Sequence, residues 1–192
     1  MIHKKNITGI ILAGGKSSRM GTDKGFLSVN GKLFVQHSID ALKPLVSEII
    51  IVSDDVAYDV FKLRRIEDEV KESGPLAGLC SGLKKSKTEW NLVLSCDIPL
   101  ITSEILTLLV EAVDETSEVI QIESNNKTMP LIALYKTACK DKFYELLKSG
   151  ERRMQYAVNQ CQVKTIKLNN ENDRFTKNVN TFEELKSIEN DC

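Results

Sequence analysis

The chain has only two histidines, His3 and His37, and it lacks the sequence of a nucleophile elbow. A histidine-rich metal centre is therefore excluded, and Ser-His-Asp catalysis has no support from the sequence. The five cysteines include no C-x-x-C pair, and an odd, scattered set favours reduced thiols over a disulfide framework or a zinc site. Any catalysis by this chain therefore has to depend on other groups.

Long apolar runs and an excess of one charge are also missing. No apolar stretch approaches the roughly 20 residues that a membrane span needs, and residues 1–6 lack the apolar core of a secretion signal. Lys and Arg number 26 against 27 Asp and Glu, so the net charge is −1 and no broad basic field is available to bind nucleic acid. We expect a cytoplasmic protein with a small ligand in a locally cationic site, and no nucleic-acid or membrane partner.

Short apolar, β-branched runs alternate with helical patterns along the 192 residues. The predicted strands are 7–12, 48–52, 92–95, 119–122 and 129–135, and the predicted helices are 34–42, 103–113 after a Ser103 N-cap, and 139–149. Asn30-Gly31 predicts a tight surface turn. No linker or repeat interrupts this order, so we predict a single domain over 1–192, a three-layer α/β sandwich with a mainly parallel, Rossmann-like sheet.

The most informative segment begins where the first predicted strand ends. Residues 12–24 read L-A-G-G-K-S-S-R-M-G-T-D-K, so a buried strand leads directly into a glycine-rich, cationic loop. Glycines let main-chain N–H groups approach phosphate oxygens, while Arg19 and Lys24 supply positive charge, with Lys16 in a secondary role. The register excludes a P-loop, whose first glycine would fall at Ile10. A solvated basic loop is the alternative, but the combination favours a triphosphate site.

A carboxylate is predicted at the same edge of the sheet. Asp97 directly follows the run 91–96, and Pro99 prevents that strand from continuing. In open α/β sheets ligands bind beyond the carboxyl ends of the strands, where Asp97 and the glycine-rich loop both emerge. Asp97 also fits a turn or helix cap, but a carboxylate facing a phosphate loop is a typical ligand of Mg²⁺. We therefore predict that Asp97 binds the metal.

Six blocks of the sequence, in order, resemble the molybdenum cofactor guanylyltransferases, a family within the nucleotidyltransferases that build sugar nucleotides. The first is the loop L-A-G-G-x-S-x-R-M-G-x-D-K. The other five are Ile66-Glu67-Asp68, Gly74-Pro75-Leu76-Ala77-Gly78, Cys96-Asp97-Ile98-Pro99, Gly150-Glu151-Arg152-Arg153 and Asn178-Val179-Asn180-Thr181. The resemblance runs from about Thr8 to Leu185, and it implies the fold of the nucleotide-diphospho-sugar transferases.

The resemblance implies a GTP site in a nucleotide-binding half at about 7–100, with Mg²⁺ as cofactor. Gly14 favours GTP over CTP, because the related cytidylyltransferases read L-A-A-G there and lack the 74–78 block. That block alone also fits a helix start with Pro in its first turn, and Asp68 alone fits a turn residue. The implied catalytic residues are Arg19, Lys24 and Asp97, the metal ligand is Asp97, and the nucleotide-binding residues are Leu12, Ala13, Gly14, Gly15, Lys24, Asp68, Gly74, Pro75, Leu76 and Asp97. Some family members have an Asn contact where this chain has Val52, which leaves Ser53 or backbone groups as substitutes.

The resemblance also implies an acceptor-binding half at about 101–190. The acceptor would be molybdopterin, whose terminal phosphate attacks the α-phosphorus of GTP and releases pyrophosphate. The implied acceptor-binding residues are Arg152, Arg153, Asn178 and Asn180; Asn180 could also share the metal. The arginines also fit a helix-start charge pair, and Thr181 with Glu184 predicts a capping box.

Two other functions stay open at this point. One is a different nucleotidyltransferase reaction, with CTP or with a sugar phosphate. The other is a non-catalytic partner that binds nucleotide or cofactor. Molybdoenzymes and cofactor-delivery proteins are the protein partners that the resemblance suggests.

Overall fold

The computed structural model describes residues 2–14, 23–70 and 73–190. Its strands are β1 (Ile7–Leu12), β2 (Ser28–Val29), β3 (Lys32–Leu33), β4 (Glu48–Val52), β5 (Arg64–Ile66), β6 (Trp90–Ser95), β7 (Val119–Ser124), β8 (Lys127–Lys136) and β9 (Val163–Lys167). Its α-helices are α1 (Phe34–Leu42), α2 (Gly74–Lys85), α3 (Ser103–Glu111), α4 (Cys139–Lys148), α5 (Met154–Val158) and α6 (Phe182–Asn190). Short 3₁₀ turns occur at Lys4–Asn6, Lys24–Phe26, Val56–Phe61 and Asp173–Thr176.

Seven strands form one mixed sheet in the order β5-β4-β1-β6-β8-β7-β9, and β2 and β3 form a separate hairpin. The pairs β5–β4, β4–β1, β1–β6 and β7–β9 are parallel. β8 is the exception, because it runs antiparallel to both β6 and β7. All the other strands of the sheet therefore end at the same edge, which we call the carboxyl edge.

The two faces of the sheet belong to two hydrophobic cores. Successive residues of a strand point to opposite faces, and in β1 Ile11 joins one core while Ile10 joins the other. The first core contains Ile39 of α1 and Leu106 of α3, and the second contains Leu79 of α2, together with residues of α4 and α5. Helices therefore cover both faces, which confirms the predicted three-layer α/β sandwich.

The sequence patterns located most elements closely. β1, β4 and α1 have the predicted bounds, whereas β6 begins two residues early at Trp90 and α3 ends two residues early at Glu111. The predicted Ser103 N-cap is wrong: the cap is Thr102, which is extended and makes no side-chain cap hydrogen bond, and Ser103 is already the first helical residue.

The predicted Asn30–Gly31 turn is present, and a similar turn connects the next pair of antiparallel strands. Asn30 and Gly31 connect β2 to β3, and Asn125 and Asn126 connect β7 to β8; all four have φ between 51° and 73°. In the described ranges, no helix has the length and apolar character that crossing a membrane requires. Four cysteines fall within those ranges, and all four are free thiols.

Candidate active site

The candidate residues meet at the carboxyl edge because β1 lies between β4 and β6. Leu12, the last residue of β1, is in register with Val52 of β4 and Ser95 of β6. The backbone N–H of Ala13 donates to the Val52 carbonyl at 3.0 Å, and the N–H of Cys96 donates to the Leu12 carbonyl at 3.1 Å. The segments that follow β1 and β6 therefore leave the sheet side by side.

A cluster of four polar side chains lies where those segments emerge. The Nζ of Lys24 donates to Asn180 Oδ1 at 2.5 Å and lies 3.5 Å from Asp97 Oδ2. The Nδ2 of Asn178 donates to Asp97 Oδ1 at 3.1 Å. The backbone N–H of Val179 adds a hydrogen bond to the Asp97 carbonyl at 2.8 Å, which ties this segment to the end of β6. We call Lys24, Asp97, Asn178 and Asn180 the Lys24–Asp97 cluster.

This cluster joins the predicted nucleotide-binding half to the predicted acceptor-binding half. Lys24 and Asp97 are candidates for the nucleotide, whereas Asn178 and Asn180 are candidates for the acceptor. Their side chains contact each other across 73 to 156 positions of sequence. The side chains of Lys24 and Asp97 are 20% and 16% exposed, so both are held by protein contacts yet accessible to a ligand.

The donor chemistry of the cluster fits Mg²⁺. The carboxylate of Asp97 and the amide oxygen of Asn180 both face the ammonium group of Lys24, so two oxygen atoms of the kinds that bind Mg²⁺ lie close to each other. Among the residues that the structure describes, no three His, Cys, Asp or Glu side chains form a metal-binding group. A magnesium ion at Asp97 would therefore depend on phosphate oxygens and water for the rest of its shell, as this ion commonly does.

The beginning of the glycine-rich loop is described as far as Gly14. Gly14 has φ +123°, a conformation that strains other residues, and a Cβ there would lie 3.4 Å from Ser53 Oγ. The side chain of Val52 packs in the second core, whereas the buried residue Ser53 places its hydroxyl beside Gly14. Gly15 and Arg19 lie outside the described residues, and their roles stay predictions.

Three of the apolar candidates are buried. The side chains of Leu12 and Leu76 pack in the second core, and Ala13 belongs to the first. Any contact of these residues with a nucleotide would therefore come mainly from their backbone. Gly74 and Pro75 form the first turn of α2, as the block predicted, and that helix start follows β5 at the carboxyl edge.

Asp68 is held against α2. Its Oδ1 accepts hydrogen bonds from Ser81 Oγ and from the backbone N–H of Val70, both at 3.0 Å. A Cβ on Gly78 would meet Asp68 Oδ2 at 3.9 Å and the side chain of Leu12 at 3.4 Å. Asp68 thus shapes a turn, as its simpler interpretation predicted, and it also lies near the end of β1. Ser81 could not be predicted as the partner of Asp68, because its position within α2 carries no sign of a contact in the preceding loop.

The arginine block is built from local contacts. Arg153 makes hydrogen bonds through its guanidinium group to both oxygens of Glu151, at 2.5 to 3.1 Å, and stacks over the ring of Tyr156 at 5.1 Å. The backbone N–H groups of Arg152 and Arg153 also donate to Glu151. These hydrogen bonds, first of all from the Arg153 side chain, lower the pKa of Glu151 to about 2. Within the described part of the chain, Arg153 makes no hydrogen bond or ion pair with the Lys24–Asp97 cluster.

The predicted capping box at the start of α6 is confirmed. The N–H of Glu184 donates to Thr181 Oγ1 at 3.1 Å, while Glu184 Oε2 accepts from the N–H of Thr181 at 3.1 Å and from that of Asn180 at 2.5 Å. This reciprocal arrangement satisfies N–H groups that a helix start otherwise leaves unpaired. It also fixes the backbone of Asn180, a member of the cluster.

Cys96 is the thiol adjacent to the cluster. Burial, together with the nearby carboxylates of Asp97 and Asp23, raises the pKa of the Cys96 thiol to about 12. The thiolate is the nucleophilic form of cysteine. Cys96 is therefore a neutral, buried group and is unsuited to covalent catalysis.

The fold and the Lys24–Asp97 cluster indicate a class of protein, and comparison with known proteins identifies the family. A mainly parallel α/β sheet with a glycine-rich loop directly after its first strand, β1, is typical of enzymes that bind nucleoside triphosphates, and this chain is a nucleotidyltransferase. Residues 9–163 match the family model described as the MobA-like NTP transferase domain. The chain belongs to that family, which confirms the resemblance found in the sequence.

Relatives and solved structures agree with this assignment. The chain is 32% identical over 184 residues to the probable molybdenum cofactor guanylyltransferase of Flavobacterium johnsoniae, covering 96% of this chain and 97% of the relative. It is 34% identical over 191 residues to the protein of the same name from Bacillus anthracis, covering 95% and 96%. A crystal structure from Aquifex aeolicus has a TM-score of 0.80 and 29% identity, covering 94% and 96%. The molybdopterin-guanine dinucleotide biosynthesis protein A of Archaeoglobus fulgidus has a TM-score of 0.79, covering 96% and 98%, and at 21% identity it supports the fold alone.

Proposed function

We propose that this chain transfers GMP from GTP to the terminal phosphate of molybdopterin, which produces the guanine dinucleotide form of the molybdenum cofactor and pyrophosphate. The observation that carries the proposal is the Lys24–Asp97 cluster, in which a cation, a carboxylate and two amides lie together at the carboxyl edge of the sheet. The names of the relatives support the same activity, since each is called a probable molybdenum cofactor guanylyltransferase.

The proposed nucleotide site extends from the glycine-rich loop to the start of α2. Gly14 lets the backbone approach phosphate, and Arg19 and Lys24 bind the triphosphate through their positive charge. The turn that contains Asp68 and the first turn of α2 flank the base and ribose. Gly14 and the 74–78 block favour guanine over cytosine, as in the family that the sequence resembles.

The proposed acceptor site includes the two amides that contact Asp97 and Lys24. Asn178 and Asn180 orient the acceptor, because their amides are already fixed by Asp97 and Lys24. Arg152 and Arg153 bind its anionic groups, and the exposed side chain of Arg153 makes local contacts with Glu151 and Tyr156 that a ligand can replace. Molybdoenzymes or cofactor-delivery proteins would then receive the product.

The proposed chemistry needs no covalent enzyme intermediate. The attacking phosphate already carries negative charge, so the residues have to align it with the α-phosphorus and neutralise the charge that moves onto the departing pyrophosphate. Lys24 lies at the centre of the cluster, where a cation stabilises that developing charge more than it stabilises the ground state. Asp97, with Asn180 beside it, would hold Mg²⁺, which supplies charge neutralisation and orientation of phosphate oxygens.

A panel of the four nucleoside triphosphates tests this function. We expect pyrophosphate release with GTP, Mg²⁺ and molybdopterin together, and little release with ATP, CTP or UTP. Release with CTP, or with a sugar phosphate in place of molybdopterin, would favour the alternative transferase reactions. Calorimetric binding of GTP without any pyrophosphate release would favour the non-catalytic partner.

Asp97→Ala tests the metal-binding role within the same assay. We expect turnover to fall by at least ~10²-fold, because one preorganised electrostatic group is lost. Asp40→Ala is the matched control, since Asp40 pairs with Lys32 at 2.9 Å on the exposed face of α1 and lies outside the cluster. Turnover of Asp97→Ala close to that of the unmodified protein would remove Asp97 from the mechanism.

A further inference from the structure

The turn that carries Lys24 is built on a buried tyrosine from a distant part of the chain. Tyr58 lies in the 3₁₀ turn Val56–Phe61 between β4 and β5, and its side chain is fully buried. Its hydroxyl donates to Asp23 Oδ1 at 2.7 Å. The same carboxylate oxygen accepts the backbone N–H of Gly25 at 2.9 Å, so the residues on both sides of Lys24 are fixed to one point.

Packing also restricts this turn. A Cβ on Gly25 would lie 2.0 Å from the hydroxyl oxygen of Tyr58, so glycine is needed where the hydroxyl passes the turn. The next residue, Phe26, packs its ring against that of Tyr58 with the centroids 4.7 Å apart. The turn is thus held by ring packing, which Phe could also provide at position 58, and by a hydroxyl, which Phe could not.

The hydroxyl is a permanent donor in this position. Burial raises the pKa of Tyr58, and the carboxylate of Asp23 raises it further, so the phenol keeps its proton. Asp23 is the N-cap of the turn Lys24–Phe26, and its acceptor atom is therefore fixed by a donor from each side.

We infer that Tyr58 is a positioning residue for Lys24: through Asp23 its hydroxyl fixes the turn that directs the ammonium group of Lys24 to Asp97, Asn180 and the phosphates. The inference rests on the proposed function, in which Lys24 binds the triphosphate. Tyr58 does not act as an acid, a base or a ligand. Its effect is to keep the cation in the one place where it neutralises charge during transfer.

The chain contains a matched control for this inference. Tyr135 of β8 is also fully buried, and its hydroxyl also makes a 2.7 Å hydrogen bond, but to the carbonyl of Pro130 in the same strand. Tyr58→Phe and Tyr135→Phe delete the same atom from equally buried rings. Only Tyr58→Phe removes a contact to the turn that carries Lys24.

Steady-state kinetics of pyrophosphate release is the first measurement. We expect Tyr58→Phe to lower kcat by about tenfold or more, which corresponds to a lost hydrogen bond to a charged group, while the KM for GTP stays within about twofold. Tyr135→Phe should leave kcat unchanged even where it lowers the thermal midpoint. Gly25→Ala, which displaces the Tyr58 hydroxyl, should reproduce the loss in kcat. Equal kcat values for Tyr58→Phe and Tyr135→Phe would overturn the inference.

A double-mutant test separates positioning from general destabilisation. If Tyr58 acts through Lys24, then Tyr58→Phe should change kcat by less than about twofold in a Lys24→Ala background, because coupled residues are not additive. If the double variant instead loses kcat by the product of the two single losses, then Tyr58 acts independently of Lys24, and the inference is contradicted.

A structural readout makes the test independent of turnover. In protein with ¹³C-labelled lysine, the Lys24 ε-methylene resonance, assigned with Lys24→Arg, should shift in Tyr58→Phe and remain in place in Tyr135→Phe. An unchanged resonance in Tyr58→Phe would overturn the inference. If the unmodified protein releases no pyrophosphate, the proposed function fails, and this resonance still decides whether Tyr58 positions Lys24.

Discussion

Lys24 and Arg153 are both cations that the sequence assigns to ligand binding, but the structure holds them in opposite ways. Lys24 contacts Asp97 and Asn180, which are 73 and 156 positions away, and its side chain is 20% exposed. Arg153 is 75% exposed, and its contacts with Glu151 and Tyr156 are two and three positions away.

This difference in contacts and exposure indicates how each cation can act. Contacts between distant segments form only when the whole sheet is assembled, so the position of Lys24 is a property of the fold. Local contacts on an exposed surface are weak and exchange readily with ligand, so Arg153 can leave Glu151 when an anion competes. A fixed cation suits a transition state, whereas an adjustable cation suits capture of a substrate.

Substitution of each cation by alanine tests most directly whether Lys24 and Arg153 act in these different ways. We expect Lys24→Ala to lower kcat by at least ~10²-fold, as the loss of a preorganised charge does. Arg153→Ala should leave kcat unchanged and raise the KM for molybdopterin by less than about tenfold, because an exposed ion contributes little. Steady-state kinetics of pyrophosphate release measures both. Similar losses of kcat in the two variants would show that the structural difference has no mechanistic meaning.

Sequence patterns predicted the elements because their signals are local. Continuous apolar, β-branched runs located β1 and β4 to the residue, and the helical spacing of apolar residues located α1, because both signals are visible within a few residues. The Ser103 cap failed because helix ends depend on one residue's backbone conformation, which the composition of the segment does not determine.

The residues of the Lys24–Asp97 cluster could be predicted from the sequence, but the contacts between them could not. Asp97 could be found from a strand end and a proline, and the block resemblance supplied Asn178 and Asn180. The bond from Lys24 to Asn180 depends on where two distant segments leave the sheet, which no local pattern encodes. Tyr58 was not predicted, because the sequence does not show whether the hydroxyl of a core tyrosine bonds a distant turn.

A second prediction concerns the capping box at Thr181, which fixes the backbone of Asn180, the residue that Lys24 contacts. Thr181→Ala removes the side-chain oxygen that accepts the N–H of Glu184, next to Asn180. We expect the free energy of unfolding to fall by about 1 kcal/mol, the usual cost of losing an N-cap. Urea denaturation measures it, with Thr102→Ala as the control, since Thr102 makes no cap hydrogen bond at α3. An equal loss in both variants would contradict the role of the capping box.

The smallest expected effect concerns the pH dependence of the local contacts of Arg153. The pKa of Glu151 is lowered from its ordinary 4.5 to about 2 by hydrogen bonds from the side chain and the N–H of Arg153. A lowered folded-state pKa means that the stabilisation is fully present above about pH 4.5 and is lost as the pH falls toward 2. The difference in unfolding free energy between the unmodified protein and Glu151→Gln should therefore narrow across that window.

An NMR titration of the Glu151 carboxyl group measures this pKa directly. Arg153→Ala should move the midpoint upward, toward 4.5, because the largest cause of the shift is removed. A midpoint already near 4.5 in the unmodified protein would mean that Arg153 is not held by Glu151. The contrast with Lys24 would then depend on exposure alone, because the local ion pair that we assign to Arg153 would not exist in solution.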